Sequence, residues 1–421
     1  MTDVEIGRGK SGRRAYSLSE IGIVPARRTR DPEEVSIAWQ IDAYRFDLPL
    51  MASPMDSVVS PQTAIAIGRL GGLAVLDVEG LWTRYEDPEP LLAEVTELDE
   101  QAATRRLQAM YAEPISEELI GRRIEEIARA GVTTAASLSP QRTARYYKAV
   151  VDAGVDIFVI RGTTVSAEHV SGRAEPLNLK QFIYELDVPV VVGGCATYAA
   201  ALHLMRTGAA GVLVGFGGGS GHTTVTVLGV AVPMATAIAD VAAARRDYLD
   251  ESGGRYVHVI ADGSMTSSGD IAKALAIGAD AVMVGSPLAR AAEAPGRGYH
   301  WGSEANHTEL PRGARVRVGT IGTLQQILHG PSTVPDGSMN LMGALRRTMA
   351  TAGYSDLKEF QRVEVVVADS GLPGHMLVRT GGDRELALHQ VEQPLVEIVK
   401  NNRGALLATA QFRPVAGESG L

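Results

Sequence analysis

The sequence predicts an α/β fold, a closed (β/α)8 TIM barrel with a C-terminal appendage. Three observations predict it: eight short apolar runs, helix-patterned segments between them, and one glycine junction repeated four times. The runs are 48–53, 72–78, 132–138, 155–160, 188–193, 211–216, 256–261 and 281–285. Most are almost continuously hydrophobic rather than alternating, as expected of parallel strands covered on both faces. Between them, 64–67, 124–130, 144–153, 199–207 and 271–277 carry apolar residues at helical spacing. Four of the helices end alike, at Ala130-Gly131-Val132, Ala153-Gly154-Val155, Thr207-Gly208-Ala209 and Ile277-Gly278-Ala279, where glycine can take the left-handed turn that stops a helix. Eight strands with a repeated αβ junction favour the closed barrel over an open doubly wound sheet.

The remaining chain is placed around that barrel. Residues 1–14 read as an N-terminal arm and 15–370 as the barrel. A charged, helical excursion occupies 81–131, and 371–421 is an appendage. Within the appendage, alternation at 376–380, a turn at Gly381-Gly382-Asp383 and resumption at 386–388 suggest a hairpin.

Composition narrows the partners. The chain has 421 residues, 45% hydrophobic, with 40 basic against 49 acidic residues and a net charge of −9. That balance excludes wholesale disorder. The only basic tract is Arg27-Arg28-Thr29-Arg30, which argues against a nucleic-acid or anionic-membrane partner and for a small molecule. No stretch approaches the roughly 18 consecutive apolar residues of a membrane span. The polar start Met1-Thr2-Asp3 and the single Cys195 point to the cytoplasm.

In a barrel the reacting groups stand just after each strand. Those positions hold Ser53-Pro54-Met55-Asp56 after the first run, Gly215 through Thr224 after the sixth, Asp262-Gly263-Ser264-Met265 after the seventh and Gly285-Ser286 after the eighth. Glycine lets backbone approach an anion, and N–H groups with a serine hydroxyl can cradle a phosphate without lysine. Ser220, Gly263, Gly285 and Ser286 would form such a cradle, with Asp262 placed to accept both hydroxyls of a ribose. This describes a mononucleotide pocket; taken singly, each glycine can equally be a turn residue. Neither a dinucleotide fingerprint nor a G-x-x-x-x-G-K-[ST] loop is present, and the nine histidines lack ligand spacing, so no catalytic metal is expected.

The ordered set Ser53-Pro54-Met55-Asp56, Gly193-Gly194, 214–224, Ile260-Ala261-Asp262-Gly263, Ser268-Gly269-Asp270 and Met283-Val284-Gly285-Ser286 closely resembles the IMP dehydrogenase/GMP reductase family. The resemblance runs from about residue 15 to residue 370, and looks most like the IMP-dehydrogenase-related subgroup without the regulatory tandem-module insert. The excursion at 81–131 lies where that insert would be and is too short to hold it. The resemblance implies that Ser53, Met55 and Ser220 contact a purine mononucleotide (IMP, GMP or XMP), Asp262 holds the ribose, and Gly263, Gly285 and Ser286 help hold the phosphate. It also implies hydride exchange at purine C2 against NAD or NADP, a cysteine thiolate as nucleophile, and a homo-oligomer, by family habit a tetramer.

The chain departs from that pattern at its reactive positions. The family cysteine in G-x-G-S-x-C-x-T falls on His222, and the arginine that often follows falls on Val225. His222 is a substitute nucleophile, a hydrogen-bonding partner of the base, or a packing residue. Cys195 is expected to be a core residue. Arg161 stands at the end of the fourth run, where the family commonly has an aspartate at the cofactor: it either favours NADPH, excludes the usual cofactor pose, or forms a surface ion pair. Thr224 and Glu304, the latter in Trp301-Gly302-Ser303-Glu304-Ala305, match the pair with which GMP reductases relay a proton; alternatively Glu304 is a solvent-facing acid. The segment 291–315 is too short for the family's mobile flap with its Arg-Tyr pair. Two functions follow: a purine-mononucleotide oxidoreductase closer to GMP reductase in its auxiliary residues, or a redox-inactive nucleotide-binding regulator.

Overall fold

The computed structural model describes residues 3–172, 176–216, 218–368, 397–400 and 406–409. Eight parallel strands close in chain order: β1 (Leu50–Ala52), β2 (Leu73–Asp77), β3 (Ala135–Leu138), β4 (Ile157–Arg161), β5 (Val190–Cys195), β6 (Gly211–Val214), β7 (His258–Asp262) and β8 (Ala281–Val284). β8 pairs back onto β1, with Val282 beside Leu50 and Val284 beside Ala52, so the ring has no edge. Each strand coincides with a predicted run to within a few residues, and the (β/α)8 barrel is the observed fold. Nearly every strand residue is buried, which accounts for the near-continuous apolar runs.

Helices wrap the ring between strands. α1 (Pro61–Arg69) follows β1, and its N-terminus is held by Ser60, whose hydroxyl accepts from Thr63 N. The long connection from β2 to β3 carries α2 (Glu89–Glu97), α3 (Glu100–Met110) and α4 (Glu117–Arg129). Next come α5 (Pro140–Asp152), α6 (Leu179–Glu185), α7 (Tyr198–Arg206), the short α8 (Thr224–Leu228), α9 (Met234–Glu251) and α10 (Ser268–Ala276). Gly131, Gly154, Gly208 and Gly278, the four predicted helix stops, all have positive φ.

The end of the barrel opposite the strands' carboxyl termini is plugged. A hairpin of Trp39–Ile41 and Tyr44–Phe46 brings Trp39 edge-on to His258 at the start of β7. Beside it, buried Asp280 accepts from Arg245 (2.8 Å), Lys358 (2.6 Å), Tyr256 (2.7 Å) and the Val259 amide (2.8 Å). Those donors outweigh burial and hold the Asp280 carboxyl down at about 2.

The first residues form an exposed antiparallel hairpin, Asp3–Gly7 with Lys10–Arg13, tethered by an Arg13–Asp240 ion pair. The chain divides into two compact units, Met1–Thr380 and Gly381–Leu421. In the second, Glu397–Lys400 and Leu406–Thr409 pair antiparallel. The hairpin expected at 376–380 and 386–388 lies outside the described residues.

Candidate active site

The carboxyl ends of the strands deliver the predicted residues to one mouth. β6 ends at Val214 and its loop carries Ser220 and His222; β8 ends at Val284 and is followed by Gly285-Ser286. The two loops meet through their hydroxyls: Ser220 Oγ lies 3.0 Å from Ser286 Oγ, which also accepts from Ser220 N at 3.2 Å. The β6 and β7 loops are joined by Ser264 N donating to Gly218 O at 3.1 Å. Gly263 contributes differently from expectation, since its N–H is already bonded to Met283 O at 3.3 Å.

Gly285 lies where no side chain fits. A Cβ there would stand 3.1 Å from both Met55 Sδ and His300 Cε1. Backbone, Met55 and His300 thus close one wall of the mouth. Ser53, at the end of β1, is buried and its hydroxyl has no protein partner among the described residues. A buried hydroxyl left without a partner costs about 1–3 kcal/mol, which a ligand or water must supply.

Across the mouth, Arg161 at the end of β4 meets Asp262 at the end of β7, Nε to Oδ2 at 3.1 Å, with side chains 9% and 7% exposed. Strands β5 and β6 lie between them in the ring. Of the three readings of Arg161, a surface ion pair is the one the burial corrects: the pair is buried and floors the mouth. Burial would weaken the guanidinium's hold on its proton, but Asp262 and Glu304 more than restore it. Among the described residues neither Nη group has a partner.

His222 faces Glu304, Nδ1 to Oε2 at 3.9 Å, with side chains 6% and 10% exposed. Glu304 is therefore no solvent-facing acid. Burial pushes its carboxyl up, yet His222, Arg161 and Arg312 together hold it below the usual range. Thr224 opens α8 fully buried, its hydroxyl without a hydrogen-bond partner among the described residues, Glu304 included. Cys195 is a core residue: it is 1% exposed, donates to Leu213 O at 3.4 Å, and burial pushes its thiol up to about 12.

Several site residues escaped sequence reasoning. His300 stands beside Gly285, its Nδ1 3.1 Å from Ser57 Oγ, and burial followed by the neighbouring His222 drives its pKa down to about 3. It is a neutral imidazole at physiological pH. The segment 312–314 pairs with the β6 loop: Thr223 N donates to Arg312 O and Ala314 N to Gly221 O, both at 2.8 Å, around a His222–Gly313 bridge. Asp56 and Asp77 are both buried, and Tyr111, just past α3, donates to Asp56. Asp77 left a trace in the sequence as the one charge inside the second apolar run; His300, Arg312 and Tyr111 left none.

The class of protein this defines is a (β/α)8 barrel with its polar residues gathered at the strands' carboxyl ends. Residues 15–308 match the IMP dehydrogenase / GMP reductase domain, and the chain belongs to that family. It is 56% identical over 372 residues to an uncharacterized oxidoreductase of Mycolicibacterium smegmatis, covering 86% of this chain and 99% of that one. An inosine-5'-monophosphate dehydrogenase of Haemophilus influenzae is 36% identical over 250 residues, 53% of this chain and 47% of that enzyme. The crystal structure of an IMP dehydrogenase/GMP reductase-like protein from Corynebacterium glutamicum superposes with a TM-score of 0.83 at 51% identity, covering 87% of this chain and 97% of the other.

Proposed function

We propose that the chain is an oxidoreductase acting on a purine mononucleotide at C2, with NAD or NADP as hydride partner and auxiliary groups nearer to GMP reductase. The observation that carries this reading is the meeting of the Ser220 and Ser286 hydroxyls, from the loops after β6 and β8, with Asp262 ending the strand between them. In it, Ser220, Ser286 and the Gly285 backbone hold the phosphate, and Asp262 uses the oxygen that Arg161 leaves free to accept from the ribose. Gly263 shapes that turn rather than donating. Ser53 and Met55 lie against the base.

His222 stands in the family nucleophile's place. Its buried Nδ1 lies 3.9 Å from Glu304 Oε2, beyond hydrogen-bond reach, and has no hydrogen-bond partner among the described residues. Glu304 and His222 then form an acid–base couple, with the unsatisfied Thr224 hydroxyl completed by a group of the ligand. The residues fit a nicotinamide dinucleotide, since the free Nη groups of Arg161 and the half-buried Arg312 bonded to Thr163 supply donors for an anionic cofactor. When bound, that cofactor supplies or accepts the hydride.

The missing thiol favours a second reading, a nucleotide-binding regulator without redox turnover: Cys195 is buried and its thiol is held protonated. Calorimetry with IMP, GMP and XMP, beside an NAD(P)H absorbance assay, separates the readings. Nucleotide binding with cofactor-dependent turnover supports the enzyme, and binding with no turnover supports the regulator. Failure of all three nucleotides to bind sinks both. Restoring the thiol with His222→Cys is expected to raise turnover. Light scattering tests for the homo-oligomer that family habit implies.

A further inference from the structure

The turn after β2 holds an arrangement that the roles above do not use. Asp56, from the loop after β1, and Asp77, the last residue of β2, are 2% and 8% exposed. Both carboxyls are fastened to one turn: Asp77 Oδ1 accepts from Glu79 N at 2.9 Å, and Asp56 Oδ2 accepts from Leu81 N at 2.8 Å. Gly80 sits between, so close that a Cβ would overlap both Asp56 oxygens. Asp56 Oδ2 takes a second donor, Tyr111 Oη, which itself accepts from Trp301 Nε1 at 3.3 Å. Among the described residues, Asp56 Oδ1 is buried without a hydrogen-bond partner, and so is the Ser53 hydroxyl three residues earlier.

The two carboxyls are not equivalent. Donors aimed at a carboxylate hold its charge, and Asp56 has two where Asp77 has one. Asp77 also faces two anions, Asp56 and Glu79. Of the cations around it, Arg84 draws it down through its charge while its Nε donates to Glu79 O, whereas Arg142 pairs with Glu79 and Arg161 with Asp262; burial and the two anions outweigh Arg84. Tyr111, buried beside the anion, stays a neutral donor. Burial raises both acids, Asp56 to about 6 and Asp77 well above the ordinary range. Two like charges on one buried turn titrate as a pair, and the proton stays with the member that has fewer donors.

We propose that Asp77 is a further substrate-contacting residue of this mouth: a carboxylic acid rather than a carboxylate, donating its O–H to a ring nitrogen or carbonyl of the purine base. Asp56 and Tyr111 are the positioning residues that keep it in that form. Asp77 ends β2 opposite Ser137 of β3, about two residues beyond the level of Ser53, since Ala52 pairs with Ala74, and it lies close enough to Arg161 to act on that guanidinium at the mouth. The inference rests on the mononucleotide reading and adds what that reading lacks, a neutral donor for the base.

The test is the association constant of IMP for the full-length protein, measured by calorimetry from about pH 5 to about pH 10 in wild type, Asp77→Asn and Asp77→Leu. Asparagine keeps an N–H donor and cannot ionise. The ratio of wild type to Asp77→Asn is expected to be flat at low pH and then to fall about tenfold per pH unit once Asp77 ionises. Asp77→Leu is expected to bind about 10-fold to 100-fold more weakly at low pH. A wild-type to Asn ratio well below one at low pH, or Asp77→Leu binding like wild type, overturns the role of Asp77 and leaves the mononucleotide reading standing. If wild type binds none of IMP, GMP and XMP, that reading falls and takes the inference with it. Should Asp77→Leu fail to fold, the wild-type to Asn ratio decides alone.

Discussion

Ser286 shows how much a single hydroxyl can carry in this mouth. Its oxygen accepts from Ser220 N and meets Ser220 Oγ, so Ser286→Ala removes both the proposed phosphate donor and the link between two loops. A hydrogen bond to a charged group is worth about 1.5–3 kcal/mol, so mononucleotide affinity is expected to fall about 10-fold to 100-fold in calorimetry, with IMP as probe. Cys195→Ser should leave nucleotide binding unchanged, because the thiol lies in the core against Leu213 O. Asp56 gives a pH-dependent prediction. Its carboxyl is raised from 3.8 to about 6, so the fold loses stability as pH rises through that interval. Asp56→Asn is therefore expected to raise the thermal midpoint at pH 8 and to leave it unmoved at pH 4. Ser53, Ser220, Asp262 and Ser286 were legible because they follow apolar runs in sequence. His300 and Tyr111 were not, because each reaches the mouth through tertiary packing from segments without strand or loop signatures.

Among the elements, the barrel strands were readable because burial on both faces leaves them almost wholly apolar. α9 was not: its buried residues, including Ala237, Ile238, Val241, Ala244 and Arg245, are too alanine-rich to leave a clear apolar stripe. The antiparallel pairing of 312–314 with the His222 loop was equally invisible, since a single bridge flanked by two hydrogen bonds leaves no periodic pattern. That pairing predicts that the amides of Thr223 and Ala314 exchange with deuterium together, and that Gly313→Pro speeds exchange at Thr223. Separate exchange rates would count against a joined segment. At the opposite end of the barrel, Asp280 joins α9, the start of β7 and Lys358. Its pKa falls from 3.8 to about 2, so its contribution of about 2–3 kcal/mol is full above pH 4 and is lost as pH falls towards 2. Asp280→Asn is expected to lower the denaturation midpoint at pH 7 and to flatten its decline below pH 4.

For the molecule as a whole, ring closure from β8 to β1 makes the mouth a product of all eight strands, which is why residues 53 to 304 can share one small volume. His258 adds to the acid response of this ring, since burial lowers its pKa from 6.5 to about 4 and a proton forced onto it works against folding. The Arg161–Asp262 pair has a further consequence for the ring. It is a chord joining two staves of a hoop that are not neighbours, so the aperture cannot dilate or turn oval without pulling a buried cation from its anion. Entering molecules must fit a bore of set width, and cutting the chord with Arg161→Met should broaden the range of nucleobases admitted while loosening the grip on each.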